Sequence, residues 1–574
     1  MSAFSSSIPL PLIPDDLTLE QFILRDTGDS GRPRRPNSAP WLICDTTGRT
    51  VYLKEIRERT TGLANSLHSK FGIGSTSQVL IFSSNHIVDY PICIWSVHRL
   101  GAIVSPCNPS STVPELTHQL SQTCPSLIIA HAAVMDVALA SACEVGIPPE
   151  RIVVLEGDGD SYRDRVTIND LVSQGLRLHS LELGRKWRTG EGEGRTRIAF
   201  FCASSGTTGK PKIVAISHFA AVANVLQIAT HNRVNDETYG SAEERRYRPG
   251  DVCLGVLPFY RQSALLHLMH FVLFTGMTVV VVPKFNFKAM LDSIVRHKVN
   301  QLMLVPPQVA LLCKETIVQN YDLSAIRAVL CAGAPLSMEL NQQLIDLLPD
   351  AQIGQAYGQT ESTGVASMCS TRTKHGFNGG ELVPGVTARI VASDGTPAGY
   401  NQPGELLLRT PATALGYFGD QDATREAFVD GWLHTGDQVE INERNEIIYI
   451  DRLKEIMKVR GFQVAPAELE GCMLGCEVVA DVCVVGIPDT FSGEVPLAFV
   501  VLTAAAASTV QDNPEAAAQL KGSIMEYVAK LKSPYKHVRR VEFLDSIPKN
   551  PSGKLLRRLL RERARQLIGT SAKL

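Results

Sequence analysis

Residues 198–212 read Ile-Ala-Phe-Phe-Cys-Ala-Ser-Ser-Gly-Thr-Thr-Gly-Lys-Pro-Lys, so an apolar run typical of a buried strand, Ile198–Ala203, passes directly into a loop of small, hydroxyl and basic residues. Glycines permit tight backbone turns, and backbone N–H groups, hydroxyls and lysines can surround a polyphosphate. The loop is not a Walker P-loop, because Gly206 and Gly209 are three residues apart and Pro211 follows the lysine. We interpret it as a phosphate-binding loop; the alternative is a flexible surface turn.

A second segment, Gln355–Glu361, combines three groups that suit a nucleotide. It holds an aromatic ring (Tyr357), a hydroxyl (Thr360) and an acid (Glu361) within five residues. The ring can stack on a base, the hydroxyl can bond a phosphate, and the carboxylate is a hard oxygen ligand for Mg²⁺. Taken alone, the segment is equally compatible with a polar loop.

Three more segments place charges beside turns. In residues 431–437, Asp437 follows a tight turn and can accept both hydroxyls of a ribose, although an ordinary turn aspartate fits the pattern by itself. Residues 451–463 and 547–554 set lysines and arginines beside glycines. Isolated charges of this kind are usually solvated surface. Five such segments in this order are hard to reach by chance.

The pattern around these segments predicts a layered α/β fold. Short β-rich runs alternate with helical patterns, which favours parallel strands. After about Arg389 the sequence pattern changes to that of short strands and turns. A second domain boundary is expected near Asp451. Ser337 is a predicted helix N-cap. The predicted strands are Val79–Ser83, Leu127–Ala130, Ile198–Ala203, Val252–Leu257, Thr278–Val282, Gln301–Val305, Ile326–Ala332, Gly404–Arg409 and Glu446–Ile450.

Bulk properties narrow the class of protein. A chain of 574 residues is too long to fold around a single hydrophobic core, so two or more domains are expected. Lys and Arg total 56 against 58 Asp and Glu, which argues against an electrostatic nucleic-acid binder. The 13 cysteines are scattered, as expected for free thiols in a reducing compartment. Residues 1–14 lack a signal-peptide pattern, and the uncharged run Gln262–Pro283 is interpreted as a buried helix followed by a strand.

Together, these segments resemble the adenylate-forming superfamily of acyl-CoA synthetases, peptide-synthetase adenylation domains and beetle luciferases, from about residue 40 to residue 560. Residues 463–470 and 551–558 are most similar to 4-coumarate–CoA ligase-like proteins and fungal phenylacetyl-CoA ligase. The resemblance implies a loose lead-in (1–36), a large multi-subdomain N-terminal domain of layered sheets and helices (37–452), and a small mobile α+β C-terminal domain (453–574) hinged at Lys454.

The resemblance also implies the substrates ATP and CoA, the cofactor Mg²⁺, and a role for each motif residue. Lys554 bridges the acid and the α-phosphate, Thr360 contacts that phosphate, and Glu361 binds Mg²⁺. The nucleotide is expected to contact Ser204, Ser205, Gly206, Thr207, Thr208, Gly209, Lys212, Ala356, Tyr357, Asp437 and Arg452. The later, CoA-dependent step is expected to involve Lys458, Gly461, Phe462 and Gln463.

The acyl pocket implied by the resemblance departs from the 4-coumarate pattern. Arg261 follows Tyr260 where the family often has His, Ser263 replaces a common Tyr, and Ile213 replaces a Gly. Arg261 either pairs with a second polar or acidic group on the substrate, or contacts the nucleotide or solvent. Small residues leave room for an aromatic ring or a medium chain. The implied pocket comprises Tyr260, Arg261, Ser263, Leu330, Gly333, Ala356, Gly364 and Val365.

The sequence therefore predicts an acid–CoA ligase that works through an acyl-adenylate. The alternatives are a stand-alone adenylation enzyme that loads a carrier protein, a luciferase-like oxygenase and a non-catalytic nucleotide binder. The terminal Ala572-Lys573-Leu574 resembles the Ser-Lys-Leu address, which predicts peroxisomal location and an import-receptor partner; the alternative is the frayed end of a basic helix, Leu555–Leu567.

Overall fold

A computed structural model describes residues 3–25, 32–36, 38–83, 88–155, 162, 164–178, 190–204, 211–234, 236, 244–460, 462–489, 491–511, 513–549 and 555–571. Over these residues the fold is mixed α/β, with four sheets surrounded by helices. The layered α/β architecture predicted from the sequence is confirmed.

One seven-stranded sheet carries the predicted phosphate loop at its edge. Its interior pairs are parallel, and the strands on either side of the loop, Ile198–Ser204 and Lys212–Ser217, pair antiparallel with Ser204 opposite Lys212. Ser204 and Lys212, the described residues that flank the predicted loop, therefore lie side by side in this sheet. In spatial order the strands are Gly416–Tyr417, Lys212–Ser217, Ile198–Ser204, Ile103–Cys107, Gln78–Phe82, Leu127–Ala130 and Ile152–Val154.

A nine-stranded sheet carries the residues expected at the adenine and α-phosphate. Its central strands are parallel, as their continuous apolar runs predict. Gln352–Gln359 ends in the short turn Thr360–Ser362, and Gly364–Met368 returns antiparallel beside it. In spatial order the strands are Glu381–Leu382, Gly364–Met368, Gln352–Gln359, Ala328–Cys331, Gln301–Leu304, Val252–Gly255, Thr278–Val281, Leu42–Cys44 and Thr50–Val51.

Two antiparallel-rich sheets follow along the chain. The six-stranded sheet contains Trp432–Ile441, which pairs with Ile447–Arg452 and sets Asp437 opposite Arg452. Its other strands are Phe4–Ser5, Thr387–Val391, Gly404–Arg409 and Phe428–Val429. The five-stranded sheet beyond it packs on its own apolar cluster and contains Met457–Val459, Phe462–Val464, Val479–Asp489, Gly493–Leu502 and Arg540–Phe543.

The helices cover the sheets and begin where the sequence supplies caps. Ser337 accepts a hydrogen bond from the Leu340 N–H and begins a helix as predicted. In the described part of the chain, no helix is both long and apolar enough to cross a membrane. The α-helices span Leu19–Leu24, Leu53–Phe71, Tyr90–Arg99, Val113–Thr123, Met135–Glu144, Ile168–Arg177, His218–His231, Val272–Phe274, Phe287–His297, Pro306–Lys314, Met338–Leu347, Gln421–Ala427, Pro466–Leu474, Ala504–Val510, Pro514–Leu531 and Arg557–Ser571.

Three details differ from the sequence prediction. The helix expected after Gln262 is a π-helix over Ala264–Phe271, and the strand after it ends at Val281. The C-terminal helix begins at Arg557, because Leu555 forms a β-bridge with Lys549. The expected loose lead-in contains a buried helix, Leu19–Leu24, which is stabilised by a capping box.

Candidate active site

The candidate nucleotide site is built around Asp437, whose side chain is 1% exposed. Arg452 lies opposite it across two antiparallel strands, with Nε 2.7 Å from one Asp437 carboxylate oxygen. Tyr357 Oη donates a hydrogen bond to the other oxygen at 2.6 Å. The structure therefore joins three residues that the sequence analysis had assigned to the nucleotide, although Asp437 and Tyr357 are 80 positions apart. We name these three residues the nucleotide triad.

Electrostatics fix the protonation states of the nucleotide triad. Burial, reinforced by the Asp437 carboxylate, raises the pKa of Tyr357 well above its usual value, so the phenol keeps its proton. Burial acts to lower the pKa of Arg452, but Asp437 and the neighbouring tyrosines outweigh it and raise that pKa. The triad at neutral pH is therefore a proton donor and a guanidinium held on one carboxylate.

A second contact chain joins the phosphate strands to Glu361. Lys212 Nζ lies 4.8 Å from the centre of the Tyr417 ring and 3.9 Å from an Asp420 carboxylate oxygen. Tyr417 Oη donates to Glu361 Oε1 at 2.9 Å. Sequence reasoning missed Tyr417, which lies in a short strand that pairs with the phosphate strand, and Asp420, which caps the helix that follows. Lys212 and Glu361, predicted on separate motifs, thus both contact one tyrosine, Lys212 at the ring and Glu361 at the hydroxyl.

The remaining motif residues fall in two groups. Ser204 ends its strand opposite Lys212, Thr360 begins the turn that carries Glu361, and Ala356 lies in the strand with Tyr357. The other group lies outside the described residues and comprises Ser205, Gly206, Thr207, Thr208, Gly209, Gly461, Lys554 and the terminal Ala572, Lys573 and Leu574. Their assignments stay predictions from the sequence.

Three of the residues predicted for the CoA-dependent step, Lys458, Phe462 and Gln463, lie on two paired antiparallel strands. Lys458 and Gln463 are opposite one another in their antiparallel register. Gln463 Oε1 accepts a hydrogen bond of 2.8 Å from Gln438, which adjoins Asp437. This pair of strands therefore contacts the strand that carries Asp437. Phe462 is 55% exposed and stacks on Tyr535, with ring centres 4.5 Å apart.

The segment around the predicted hinge joins two networks. Asp451 accepts hydrogen bonds from the backbone N–H groups of Arg452 and Ala467; burial raises its pKa to about 6 against the opposing effect of the Arg557 guanidinium. Lys454 is exposed in the turn that follows. A second network starts before the hinge in the chain. Lys314 Nζ donates to the backbone oxygens of two residues beyond the hinge, Leu474 and Val479, at 2.9 and 3.0 Å.

The acyl end comprises Tyr260 to Gln262 together with Gly364. The Arg261 guanidinium lies 5.3 Å from the centre of the Tyr260 ring. Gly364 has a φ of +123°, and a Cβ atom there would lie 2.5 Å from Asn224 Oδ1 and 2.8 Å from Gln262 Nε2. Two amide side chains therefore occupy the space beside the Gly364 α-carbon, and the assignment of Gly364 to the acyl pocket stays a prediction.

Other residues of the expected acyl pocket lie on neighbouring elements. Val365 follows Gly364 and exchanges hydrogen bonds with Asn224. Leu330 is buried in its strand, and Gly333 lies two residues beyond the strand's end with a φ of +88°. Ser263 is exposed immediately before the π-helix. The prediction named none of the amides at this end.

Comparison with known proteins decides the family. Residues 32–418 match the AMP-binding enzyme family and residues 468–554 match the AMP-binding enzyme C-terminal domain. The chain belongs to the AMP-binding enzyme family. It is an ATP-dependent, AMP-forming acyl-CoA ligase of the adenylate-forming superfamily, as the sequence analysis predicted.

Full-length relatives and solved structures agree with this placement. 4-Coumarate–CoA ligase 2 of Oryza sativa subsp. japonica is 33% identical over 576 residues, covering 98% of this chain and 95% of its own length. Acyl-CoA ligase easD of Emericella nidulans is 30% identical, covering 96% and 97%. The anthranilate CoA ligase AuaEII, solved with anthranoyl-AMP, has a TM-score of 0.81 at 21% identity and covers 98% of this chain and 99% of its own. That last likeness shows the fold.

Proposed function

We propose that this enzyme converts an aromatic or medium-chain carboxylic acid to its acyl-adenylate with release of pyrophosphate, and then transfers the acyl group to CoA with release of AMP. The observation that carries the proposal is the nucleotide triad, in which Asp437 is held by Arg452 and Tyr357 beside the loop that bears Thr360 and Glu361. Relatives named 4-coumarate–CoA ligase and acyl-CoA ligase support the same class of substrate.

The chemistry explains why cations gather on these loops. A carboxylate is a poor acyl donor, and its attack on the α-phosphate brings two anions together, so positive charge is required to offset their repulsion. Lys212 stands at the phosphate loop, Arg452 at the nucleotide, and Lys554 is assigned to the reacting carboxylate. Holding the two reactants in the right relative position lowers the entropic part of the activation barrier.

Glu361 is suited to hold Mg²⁺ on the triphosphate. Its side chain is partly exposed, its Oε1 atom accepts a hydrogen bond from Tyr417, and carboxylate oxygen is a ligand that Mg²⁺ prefers. A bound Mg²⁺ would neutralise charge on the departing pyrophosphate. The Tyr417 hydroxyl would orient the carboxylate for this task.

The thioester step is assigned to the pair of strands that carries Lys458 and Gln463. Gln463 already contacts Gln438, the neighbour of Asp437, so a rotation at Lys454 would change which face of the C-terminal domain meets the adenylate. A carrier-protein acceptor is the second candidate carried over from the sequence. Parallel reactions with free CoA and with a phosphopantetheinylated carrier distinguish the two acceptors.

The decisive experiment separates the half-reactions in a Lys554→Ala variant. We expect adenylate formation, measured as pyrophosphate release over a panel of aromatic, medium-chain and dicarboxylic acids, to fall by roughly 10²-fold or more, the scale of losing one preorganised charge. Thioester formation from supplied acyl-adenylate should be retained.

Lys549→Ala is the matched control, because Lys549 is a nearby lysine whose Nζ pairs with Asp481. It should retain both half-reactions. Equal loss of both half-reactions in Lys554→Ala would contradict the role of Lys554, and absence of AMP and of any activated acyl product from the unmodified enzyme would contradict the proposed function.

We also propose that the terminal Ala572-Lys573-Leu574 is a peroxisomal address, read by an import receptor when it forms the free C-terminus. An N-terminal fluorescent fusion should enter peroxisomes, and the same fusion without the last three residues should stay outside. Identical distributions of the two fusions would refute the proposal.

A further inference from the structure

Gln262 stands out because its amide nitrogen is buried and unpaired. The residue is 7% exposed, and Gln262 Nε2 makes no hydrogen bond to any described residue. Buried amide donors in native proteins nearly always have a partner, so an unpaired one calls for an explanation. The described residues therefore leave this donor unsatisfied.

The neighbouring amides do not share this property. Asn224 both donates to the Val365 backbone oxygen at 2.9 Å and accepts from the Val365 N–H at 3.2 Å. Gln227 Nε2 donates to the Pro384 backbone oxygen and to Thr410 Oγ1, at 2.9 and 3.0 Å. The amide nitrogens of Asn224 and Gln227 therefore have hydrogen-bond partners, whereas that of Gln262 has none among the described residues.

The position of Gln262 connects it with the reacting centre. Its Nε2 lies 2.8 Å from where a Cβ of Gly364 would be. The Gly364 carbonyl accepts a hydrogen bond from Ser362 Oγ, and Ser362 directly follows Glu361. Gln262 also precedes a π-helix, a rare geometry that is frequent at functional sites. The open donor therefore lies beside the loop that would bind the acid's carboxylate and the α-phosphate.

We propose that Gln262 determines acid specificity by donating hydrogen bonds to an oxygen acceptor on the acyl body, such as a hydroxyl or ether oxygen. This inference rests on the proposed function. Acids with such an oxygen satisfy the amide, whereas their hydrocarbon counterparts bury it without a partner. A site built to hydrogen-bond a substrate group discriminates strongly against the analogue that lacks it.

The test compares matched acids that differ by one oxygen, with Gln262→Met as the variant of similar volume. The pairs are cinnamic with 4-hydroxycinnamic acid, phenylacetic with 4-hydroxyphenylacetic acid, and octanoic with 8-hydroxyoctanoic acid. We expect kcat/KM of the unmodified enzyme to favour the oxygenated member of at least one pair by roughly 10-fold or more. In Gln262→Met that ratio should fall towards one, chiefly through loss with the oxygenated acid.

Gln227→Met is the matched control, because Gln227 is a buried glutamine whose amide nitrogen has two partners. It should lower the unfolding temperature while preserving the ratio. Gln262→Glu provides a second test that keeps the polar volume, with 4-methoxycinnamic and cinnamic acid as the pair. An ionised carboxylate accepts but does not donate, so any preference for the ether oxygen, which can only accept, should be lost. It also serves if Gln262→Met fails to fold.

The outcomes separate this inference from the function on which it rests. Activated acyl products with ratios that Gln262→Met and Gln262→Glu leave unchanged would overturn the role of Gln262 and leave the function standing. Ratios near one for every pair in the unmodified enzyme would overturn it equally, since an ordered water would then satisfy the amide. Failure of every acid to yield an activated product would refute the proposed function itself.

Discussion

The two ends of the candidate site handle buried polar groups in opposite ways. At the nucleotide end, Asp437 is engaged through both oxygens, by Arg452 and Tyr357. At the acyl end, the Gln262 amide nitrogen is equally buried but has no partner among the described residues. ATP is the same ligand in every turnover, so its groups can be held in place in advance. An unpaired donor instead makes the energy of the complex depend on which acid arrives.

Asp437→Asn should produce the largest change, because it breaks the end that is fully paired. The Arg452 guanidinium would lose the carboxylate that holds it, and an amide nitrogen would face either Arg452 or the Tyr357 hydroxyl. Loss of one partner from a buried ion pair is strongly destabilising. We expect pyrophosphate release to fall by roughly 10²-fold, and to fall by the same factor for every acid in the panel.

The uniformity of that loss is the informative part. Asp394→Asn is the control, because Asp394 only caps an exposed turn through Thr396, and its activity should stay within about twofold of the unmodified enzyme, as usual for a surface substitution. If Asp437→Asn instead changed the preference among acids, the separation of the two ends would be incorrect.

The same contrast explains what the sequence predicted and what it did not. Asp437, Arg452 and Tyr357 were assigned by motif, and strand register then brought the first two opposite one another. Most predicted strands agree with the structure to within one or two residues, because continuous apolar runs mark parallel strands clearly. Motif resemblance therefore named the residues of the nucleotide end, and the structure shows that these three contact one another.

The acyl end depends on contacts that no local pattern encodes. Asn224 contacts Val365 across 141 positions of the chain. Gln262 was noticed only as part of an uncharged run, whose helix turned out to begin in π geometry, for which the sequence carries no spacing signal. Whether a polar side chain is paired depends on the packing of distant elements, and one sequence does not contain that information.

The smallest expected effect concerns the pH dependence of the free energy of unfolding. It comes from the helix that carries Asn224 and Gln227, which we call the acyl wall. His231 lies on the helix that also carries Asn224 and Gln227, and it is 1% exposed. Its Nε2 donates to the Cys369 backbone oxygen at 3.1 Å. Burial lowers its pKa to about 4, although the bond to Cys369 acts to raise it. This part of the wall is therefore built for a neutral imidazole.

The sign of the pH effect follows from the two pKa values. An unfolded histidine binds a proton below about pH 6.5, whereas folded His231 does so only below about 4. Between these values the unfolded state holds more protons, so the free energy of unfolding rises with pH and is lost on acidification. One such histidine contributes a slope of up to about 1.4 kcal/mol per pH unit in that window.

His231→Gln should remove the part of the pH dependence of the free energy of unfolding that is due to His231. The glutamine amide can still donate to the Cys369 oxygen, but it does not titrate. Four other buried histidines, whose pKa values are also lowered, keep the rest of the slope: His98, His218, His267 and His270. Urea unfolding at a series of pH values from 7 to 4.5 measures the difference. A variant as acid-sensitive as the unmodified enzyme would show that His231 titrates alike in both states, and the acyl wall would then have to be regarded as open to water, like an ordinary polar surface.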